Sequence, residues 1–201
     1  MRIMKCKIIE KATDMFLKHG FKSITMDDIA SQMGISKKTI YKYYANKEEL
    51  IEEATNLTHD KIHEVIEKII EKNLNAVEEN FAIRRMFDDL FSSADSTPLF
   101  QLKKHYPEIY EKVICKENES CDQLFRQNIQ KGIEEGYYRK DLDVESSVRF
   151  YYTLILNINE TTALEKDSQV LELLALEYHT RAIATPKGVE ELEKQLKTNH
   201  K

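Results

Sequence analysis

The chain has 201 residues, of which 41% are hydrophobic and 32% charged, with only five glycines and three prolines. These proportions are typical of a globular protein, and the scarcity of turn residues argues against an all-β fold and against a disordered chain. The sequence has neither an apolar run near the ~18 residues of a membrane span nor the apolar core of a signal peptide at its start, so we expect a cytoplasmic protein.

The formal net charge of −5 conceals an uneven distribution. Residues 1–47 carry ten basic and four acidic side chains, whereas residues 48–201 carry twenty basic and thirty-one acidic ones. A basic first segment on an acidic remainder predicts a polyanionic partner for the first segment alone. Chance clustering of lysines is the alternative at this point.

Apolar residues recur at helical spacing in nearly every segment, so we predict an all-α protein of about nine to ten helices. The first helix covers residues 3–19 and ends before Gly20. Thr25 followed by Asp28 is a capping pattern, and it predicts a short helix that ends near Met33.

The same periodicity, together with capping residues, predicts the remaining helices. Ser36 and Asn46 are placed to cap two of them, and Pro107 is placed in the first turn of another, which ends at Gly136. These helices cover residues 37–44, 47–72, 80–93, a short stretch after 98, 107–135, 144–164, 168–184 and 188–196. We divide the chain into domains 1–47 and 48–201, and we expect the helix that spans this boundary to couple them mechanically.

Two short helices joined by a turn that contains Gly34 form a helix-turn-helix, with residues 37–44 as the recognition helix. Ile40 and Tyr44 occupy its buried side. Lysine neutralises phosphates, and threonine and tyrosine hydroxyls donate hydrogen bonds to phosphates or base edges, so the opposite side suits DNA. That side presents Lys37, Lys38, Thr39, Tyr41, Lys42 and Tyr43. The alternative is a solvated lysine face on a packing helix.

Residues 8–51 resemble the N-terminal domain of the tetracycline-repressor (TetR) family. The matching pieces are Ile-x3-Ala-x3-Phe-x3-Gly, Thr-x3-Ile-Ala, Gly-Ile-Ser-x2-Thr-Ile-Tyr and Asn-Lys-Glu-Glu-Leu. This long ordered pattern covers about a quarter of the chain, and the rest matches only in the number and rhythm of its helices. One departure is Lys38, where many members carry a small residue.

The resemblance implies a homodimeric, ligand-responsive transcriptional repressor, with a three-helix DNA-binding head and a larger helical regulatory and dimerisation domain. Such a repressor binds a pseudo-palindromic operator in duplex DNA, and a small-molecule effector releases it. The aromatic residues of the second domain suit a small apolar or amphipathic effector. At positions that match the family motif, base contacts are implied for Lys37, Lys38 and Tyr41. Phosphate contacts are implied for Thr25, Thr39, Lys42, Tyr43 and Lys47.

The second domain must then dimerise and bind the effector. Apolar residues of the late helices are candidates for a dimer seam, although some must instead close the core: Tyr152, Ile155, Val170, Leu171, Leu174 and Tyr178. Candidates for an effector pocket are Phe87, Phe91, His105, Tyr106, Tyr110, Phe125, Tyr151 and Asn157, with Asn159 as a further polar candidate. Aromatic residues at helical spacing are more often core, so we expect only a minority to touch an effector.

We expect no catalytic, cofactor or metal site. The sequence has no supported Ser/His/Asp or Cys/His set and no Gly-rich phosphate loop. Cys115 and Cys121 point to different sides of a helix. His59 and His63 share a helix face, but they have no third ligand at an evident spacing.

One alternative function stays open at this point. The chain could be a DNA-binding helix-turn-helix protein without a small-molecule effector, controlled by a protein partner or acting in chromosome organisation. A closed, fully packed second domain would favour that alternative, whereas an effector-responsive repressor needs a cavity.

Overall fold

The computed structural model of the chain describes residues 2–199, and ten α-helices make up its regular structure there. They are α1 Arg2–His19, α2 Met26–Met33, α3 Lys37–Tyr41, α4 Lys47–Ile70, α5 Ala76–Phe91, α6 Pro98–His105, α7 Pro107–Glu134, α8 Val144–Thr161, α9 Glu165–Ile183 and α10 Pro186–Asn199. The prediction of an all-α fold is confirmed. None of the helices in this described part is long and apolar enough to cross a membrane.

Local capping forms the helix-turn-helix as predicted. The Thr25 side chain accepts a hydrogen bond from the Asp28 amide at 3.2 Å, and the Thr25 amide donates to the Asp28 carboxylate at 2.8 Å. Gly34 ends α2 with a φ of 64°, in the left-handed region that suits glycine. Ser36 then caps α3. These local hydrogen bonds fix the angle between the two short helices.

The recognition helix is shorter than predicted, because it ends at Tyr41 instead of residue 44. The amides of Tyr43 and Tyr44 both donate to the Ile40 carbonyl, at 2.9 and 3.1 Å, which tightens the chain into a turn. Tyr44 is nevertheless buried, so the predicted inward side is correct. Asn46 then caps α4 by accepting from the Glu49 amide at 2.8 Å.

Three helices of the second domain begin earlier than predicted: α5, α9 and α10. The reason is clearest at α5, where Asn75 accepts from the amides of Val77 and Glu78 at 3.0 Å each. The Glu78 carboxylate accepts from the Asn75 amide in return, at 3.1 Å. This reciprocal pair is a complete capping box, a local signal that the apolar periodicity did not reveal.

The helices pack around two hydrophobic cores. The first joins α1–α3 and the beginning of α4 to Leu102 of α6 and Ile109 of α7. The second joins α5 and α7–α10. Because the first core extends across residue 47, the helices of the head are packed directly on the rest of the chain. The functional division into 1–47 and 48–201 stays a prediction.

Candidate DNA-binding surface and internal cavity

The recognition helix presents an exposed polar surface. Lys38, Tyr41 and Lys42 are exposed on it, whereas Ile40 beneath them is fully buried. Lys37 is also exposed, and its ammonium lies 2.6 Å from the Asp27 carboxylate, a contact that raises the pKa of Lys37. The helix therefore offers cations and a phenol to a partner while its apolar side holds it in place.

Three further predicted DNA contacts have roles within the protein. Thr25 is exposed, but its hydroxyl donates to Asp28 at 2.7 Å, and the hydrogen bonds from Thr25 lower the pKa of Asp28. The hydroxyl of half-buried Thr39 lies 2.9 Å from that of Ser36. Tyr43 is half-buried against the first core. These side chains thus help to shape the surface on which they lie.

Lys47, the first residue of α4, differs from the other lysines. Its ammonium donates to the Lys22 carbonyl at 3.2 Å and lies 5.8 Å from the centroid of the Tyr106 ring. Burial lowers the pKa of Lys47. Because Tyr106 lies between α6 and α7, Lys47 connects the head to the body.

A cavity of about 230 Å³ lies among the helices of the second domain, and Leu17 and Phe21 of the head also contribute to its wall. Its walls are mainly apolar, and every helix from α4 to α9 contributes side chains to them. Ile62 of α4, Phe87 of α5 and Leu156 of α8 are examples. The second domain is therefore not fully packed, and one wall of its cavity belongs to the helix that carries the head.

Two of the eight predicted pocket residues, Phe87 and Phe91, line this cavity, and the other six do not. Tyr106 and Tyr110 pack against the first core, and Phe125 and Tyr151 belong to the second. Asn157 is exposed, and His105 is half-buried at the end of α6. The cavity wall also includes the further polar candidate Asn159, and Tyr152, which was a candidate for the dimer seam. Adjacent helix residues point about 100° apart, so an error of one residue moves a side chain out of the cavity.

The structure divides the six candidates for the dimer seam into two groups. Tyr152 and Ile155 line the cavity and do not face outward. The other four candidates are exposed, with Tyr178 at 72%, and Phe150 and Leu154 of α8 are exposed beside them. We call this surface the apolar face; it consists of Phe150, Leu154, Val170, Leu171, Leu174 and Tyr178.

The cavity also has a charged region that the sequence analysis missed. Arg84 of α5, only 7% exposed, contacts the Asp88 carboxylate, and its Nε lies 3.6 Å from Glu172. Burial and the nearby Glu172 charge raise the pKa of Glu165 to about 7. Asn159 donates to Glu172 at 2.6 Å. A signal was present in the i,i+4 spacing of Arg84 and Asp88, but such pairs are common on exposed helices.

The structure places a possible third ligand beside His59 and His63 that sequence spacing does not reveal. Glu117 of α7 lies beside them, and ligand atoms of the three side chains all lie within 4.8 Å of one another. Glu117 is far away in the sequence and becomes a neighbour only because α4 and α7 pack together. Helical spacing within one segment could not have revealed this contact.

Residues 8–54 match the family model of the tetR family of bacterial regulatory proteins. The chain is similar to the HTH-type transcriptional repressor KstR2 of Mycobacterium tuberculosis, with 27% identity over 72% of this chain and 74% of that protein. A transcriptional regulator from Cytophaga hutchinsonii has a similar structure, with a TM-score of 0.70, 20% identity and coverage of 89% of this chain and 97% of that one.

A further similar structure is FadR of Thermus thermophilus, a TetR-family repressor solved in complex with lauroyl-CoA. Its TM-score is 0.56 and its identity 19%, with coverage of 88% of this chain and 91% of that one. The family match lies on the helix-turn-helix, and the structural similarity extends across the second domain. The chain is therefore a DNA-binding transcriptional regulator whose helix-turn-helix matches the TetR family, and its fold is similar to that of a TetR-family repressor.

Proposed function

We propose that the protein is a repressor that binds a pseudo-palindromic operator as a homodimer and is released by a small apolar or amphipathic effector. The observation that carries the proposal is the cavity of about 230 Å³, because α4 forms one of its walls and also carries the head. An effector in the cavity contacts the helix whose tilt sets the position of the recognition helix. The repressor acts in the cytoplasm, where it meets DNA, and no catalytic step is assigned to it.

The DNA contacts in this proposal come from the recognition helix and its surroundings. Lys37, Lys38 and Tyr41 are exposed on α3, and Lys42 is exposed directly after it. Bases are read by Lys37, Lys38 and Tyr41, while Lys42 neutralises phosphate. Additional phosphate contacts come from Thr25, Thr39, Tyr43 and Lys47.

Dimerisation in this proposal uses the apolar face. A contiguous row of large apolar side chains on two adjacent helices is unfavourable in water, and a second copy of the chain would cover it symmetrically. Two heads fixed in this way engage two successive major grooves, about one helical turn of DNA apart. Small changes in the distance between the heads therefore weaken specific binding strongly.

The cavity also indicates the chemistry of the effector. Its mainly apolar wall suits a hydrocarbon body, and the charged region around Arg84 and Glu172 suits a polar group at one end. FadR, which has a similar fold, was solved with the amphipathic ligand lauroyl-CoA. To release DNA, the effector must bind the DNA-free arrangement more tightly than the DNA-bound one.

The test combines an operator selected from randomised duplexes with the apolar dye Nile red and with lauroyl-CoA. We expect both probes to bind the wild-type protein and at least one to weaken operator binding about fivefold or more. Ile155→Trp fills the cavity and should lose probe binding while it keeps the operator. The matched control is Val65→Trp, at an exposed position of α4.

The thermodynamic coupling between effector binding and operator binding also defines the result that would contradict the proposal. An effector that weakens operator binding must itself bind more weakly when the operator is present, by the same factor. Equal probe affinities with and without operator, or probe binding that survives in Ile155→Trp, would contradict release through this cavity. The reading without a small-molecule effector would then be favoured.

A further inference from the structure

Three side chains from two helices converge on one point between the cavity and the protein surface. His59 and His63 lie one turn apart on α4, with their ring centroids 4.3 Å apart. Nδ1 of His59 lies 2.6 Å from Oε1 of Glu117, on α7. The other oxygen of Glu117 accepts a hydrogen bond from the Cys121 thiol at 3.6 Å, which orients the carboxylate.

These side chains form a recognised set of metal ligands. Two imidazoles and one carboxylate bind Zn²⁺ in four-coordinate sites whose last position is taken by water. At metal–ligand distances near 2.0 Å, tetrahedral ligand atoms lie about 3.3 Å apart. The ligand atoms of His59, His63 and Glu117 lie within 4.8 Å of one another, so small side-chain rotations bring them to that separation.

An ordinary ion pair accounts for only part of this arrangement. A hydrogen bond between His59 and Glu117 explains why those two side chains meet. It does not explain why His63 turns its ring to the same point, half-buried beside His59. We propose that His59, His63 and Glu117 bind a divalent transition-metal ion, with Zn²⁺ as the best fit.

The surroundings allow an ion to enter. A small cleft leads to His59 and Glu117 from the outside of the protein, between α4 and α7. The lysines at this cleft are already neutralised, because Lys112 pairs with Glu52 at 2.8 Å and Lys116 with Asp60 at 3.2 Å. The carboxylate of Glu117 is then the charge that a cation meets beside the two imidazoles.

The bound ion crosslinks α4 to α7. Two of its ligands belong to the helix that carries the head, and the third belongs to the body. Exposed ion pairs between the same helices contribute little, since exposed pairs are individually weak. A metal crosslink restricts the tilt of α4 and stabilises the folded chain by binding it preferentially. His59 and Glu117 also line the effector cavity, but the inference rests on the geometry of the three ligands and requires no effector.

The test uses the untagged full-length protein, stripped of metal with EDTA and titrated with ZnCl₂ by calorimetry. We expect one ion per chain, with a Kd of about 1 µM or tighter, and a higher Tm in the presence of zinc. His63→Asn removes one ligand and Glu117→Gln removes the carboxylate charge. Each variant should weaken zinc binding at least about tenfold and lose the zinc-dependent rise in Tm.

His105→Asn is the matched control, because His105 is also half-buried but lies outside the cluster. It should bind zinc as the wild type does. Thermal melting in EDTA establishes whether each variant is folded. If only one of the two ligand variants is folded, its zinc affinity is sufficient to test the proposal. The proposal is overturned if the wild type binds no zinc saturably, or if a folded His63→Asn or Glu117→Gln protein binds it as tightly as the wild type.

Discussion

The head and the body of this protein use ionisable side chains in opposite ways. In the head, α1–α3 and the beginning of α4 surround an apolar core in which Ile8, Ile29 and Ile40 are fully buried. Among the described residues, every buried charged side chain lies in the body, for example Arg84 and Glu165. Burying charge is unfavourable, so the position of these two side chains in the cavity wall indicates a ligand site more than a stabilising core.

The two regions are nevertheless connected by packing. Leu102 and Ile109 of the body belong to the core of the head, and Lys47 contacts Tyr106 across the junction. The head therefore cannot tilt independently of α6 and α7. Because the rigid head is packed on a body that contains a cavity, a change in the shape of the cavity can be transmitted to the recognition helix and its DNA contacts.

The largest expected effect concerns the outer surface of the body. If the apolar face joins two chains, Leu174→Glu places a charge in the interface without a counter-ion and costs about 3–5 kcal/mol of dimer stability. Sedimentation velocity should then show monomer or aggregate. Leu90→Glu is the control, since Leu90 is exposed on α5 outside this face. A folded dimer of Leu174→Glu would place the seam elsewhere.

The second-largest expected effect distinguishes a side chain in the first hydrophobic core from a side chain outside that core. Leu102 is buried in the core, so Leu102→Ala should leave a void and lower the free energy of unfolding by about 2–4 kcal/mol. Leu99, on the same helix, lines the cavity as Leu102 does, but it is only half-buried and lies outside the core, so Leu99→Ala should cost less than about 1.5 kcal/mol. Urea denaturation at one fixed protein concentration measures both. Equal losses would argue against a junction packed more tightly than the body.

The head was predictable from the sequence because its signals are local. Thr25 with Asp28, Gly34 and Ser36 act within a few residues of themselves, and the structure confirms each of them. The error there was the end of the recognition helix, where turn hydrogen bonds to Ile40 replace helical ones. A capping residue fixes a helix start more sharply than apolar spacing fixes its end.

The sites of the body were less predictable because they depend on contacts between distant helices. Periodicity identifies residues that share a face, but not what that face meets. Thus Tyr151 was expected in the pocket and lies in the core, while its neighbour Tyr152 lines the cavity. Arg84 shows only the common i,i+4 spacing to Asp88, and Glu117 belongs to no sequence motif. Their environment exists only after α4, α5, α7 and α9 have packed together.

A smaller expected effect concerns Glu165, whose buried carboxyl makes the free energy of unfolding depend on pH. The pKa of Glu165 is raised to about 7 by burial, so its contribution to stability is present below pH 4.5 and lost as the pH rises through 7. Glu165→Gln should therefore raise the free energy of unfolding at pH 8 by about 1–3 kcal/mol. Near pH 4.5 the difference should almost disappear.

Asp28 in the head should show the opposite pH dependence of the free energy of unfolding. Hydrogen bonds from Thr25 lower the pKa of Asp28, so its contribution is present at neutral pH and lost on acidification. Asp28→Asn should therefore destabilise the protein at pH 7 and have less effect at low pH. If Glu165→Gln and Asp28→Asn changed stability in the same direction at pH 8, the contrast between head and body would be wrong.

The smallest expected effect distinguishes Lys42 from Lys47, both of which were expected to contact phosphate. Lys42 is exposed, so Lys42→Ala should weaken binding to all duplexes and lower the salt slope by about one, with no change in Tm. Lys47→Ala should lower the slope similarly, but it also removes the contacts with Lys22 and Tyr106. A loss of stability of about 0.5–1 kcal/mol should accompany it. Fluorescence anisotropy across a salt series, together with thermal melts, distinguishes the two variants. A wild-type Tm for Lys47→Ala would mean that Lys47 does not hold the head on the body, and an unchanged slope for Lys42→Ala would remove Lys42 from the DNA surface.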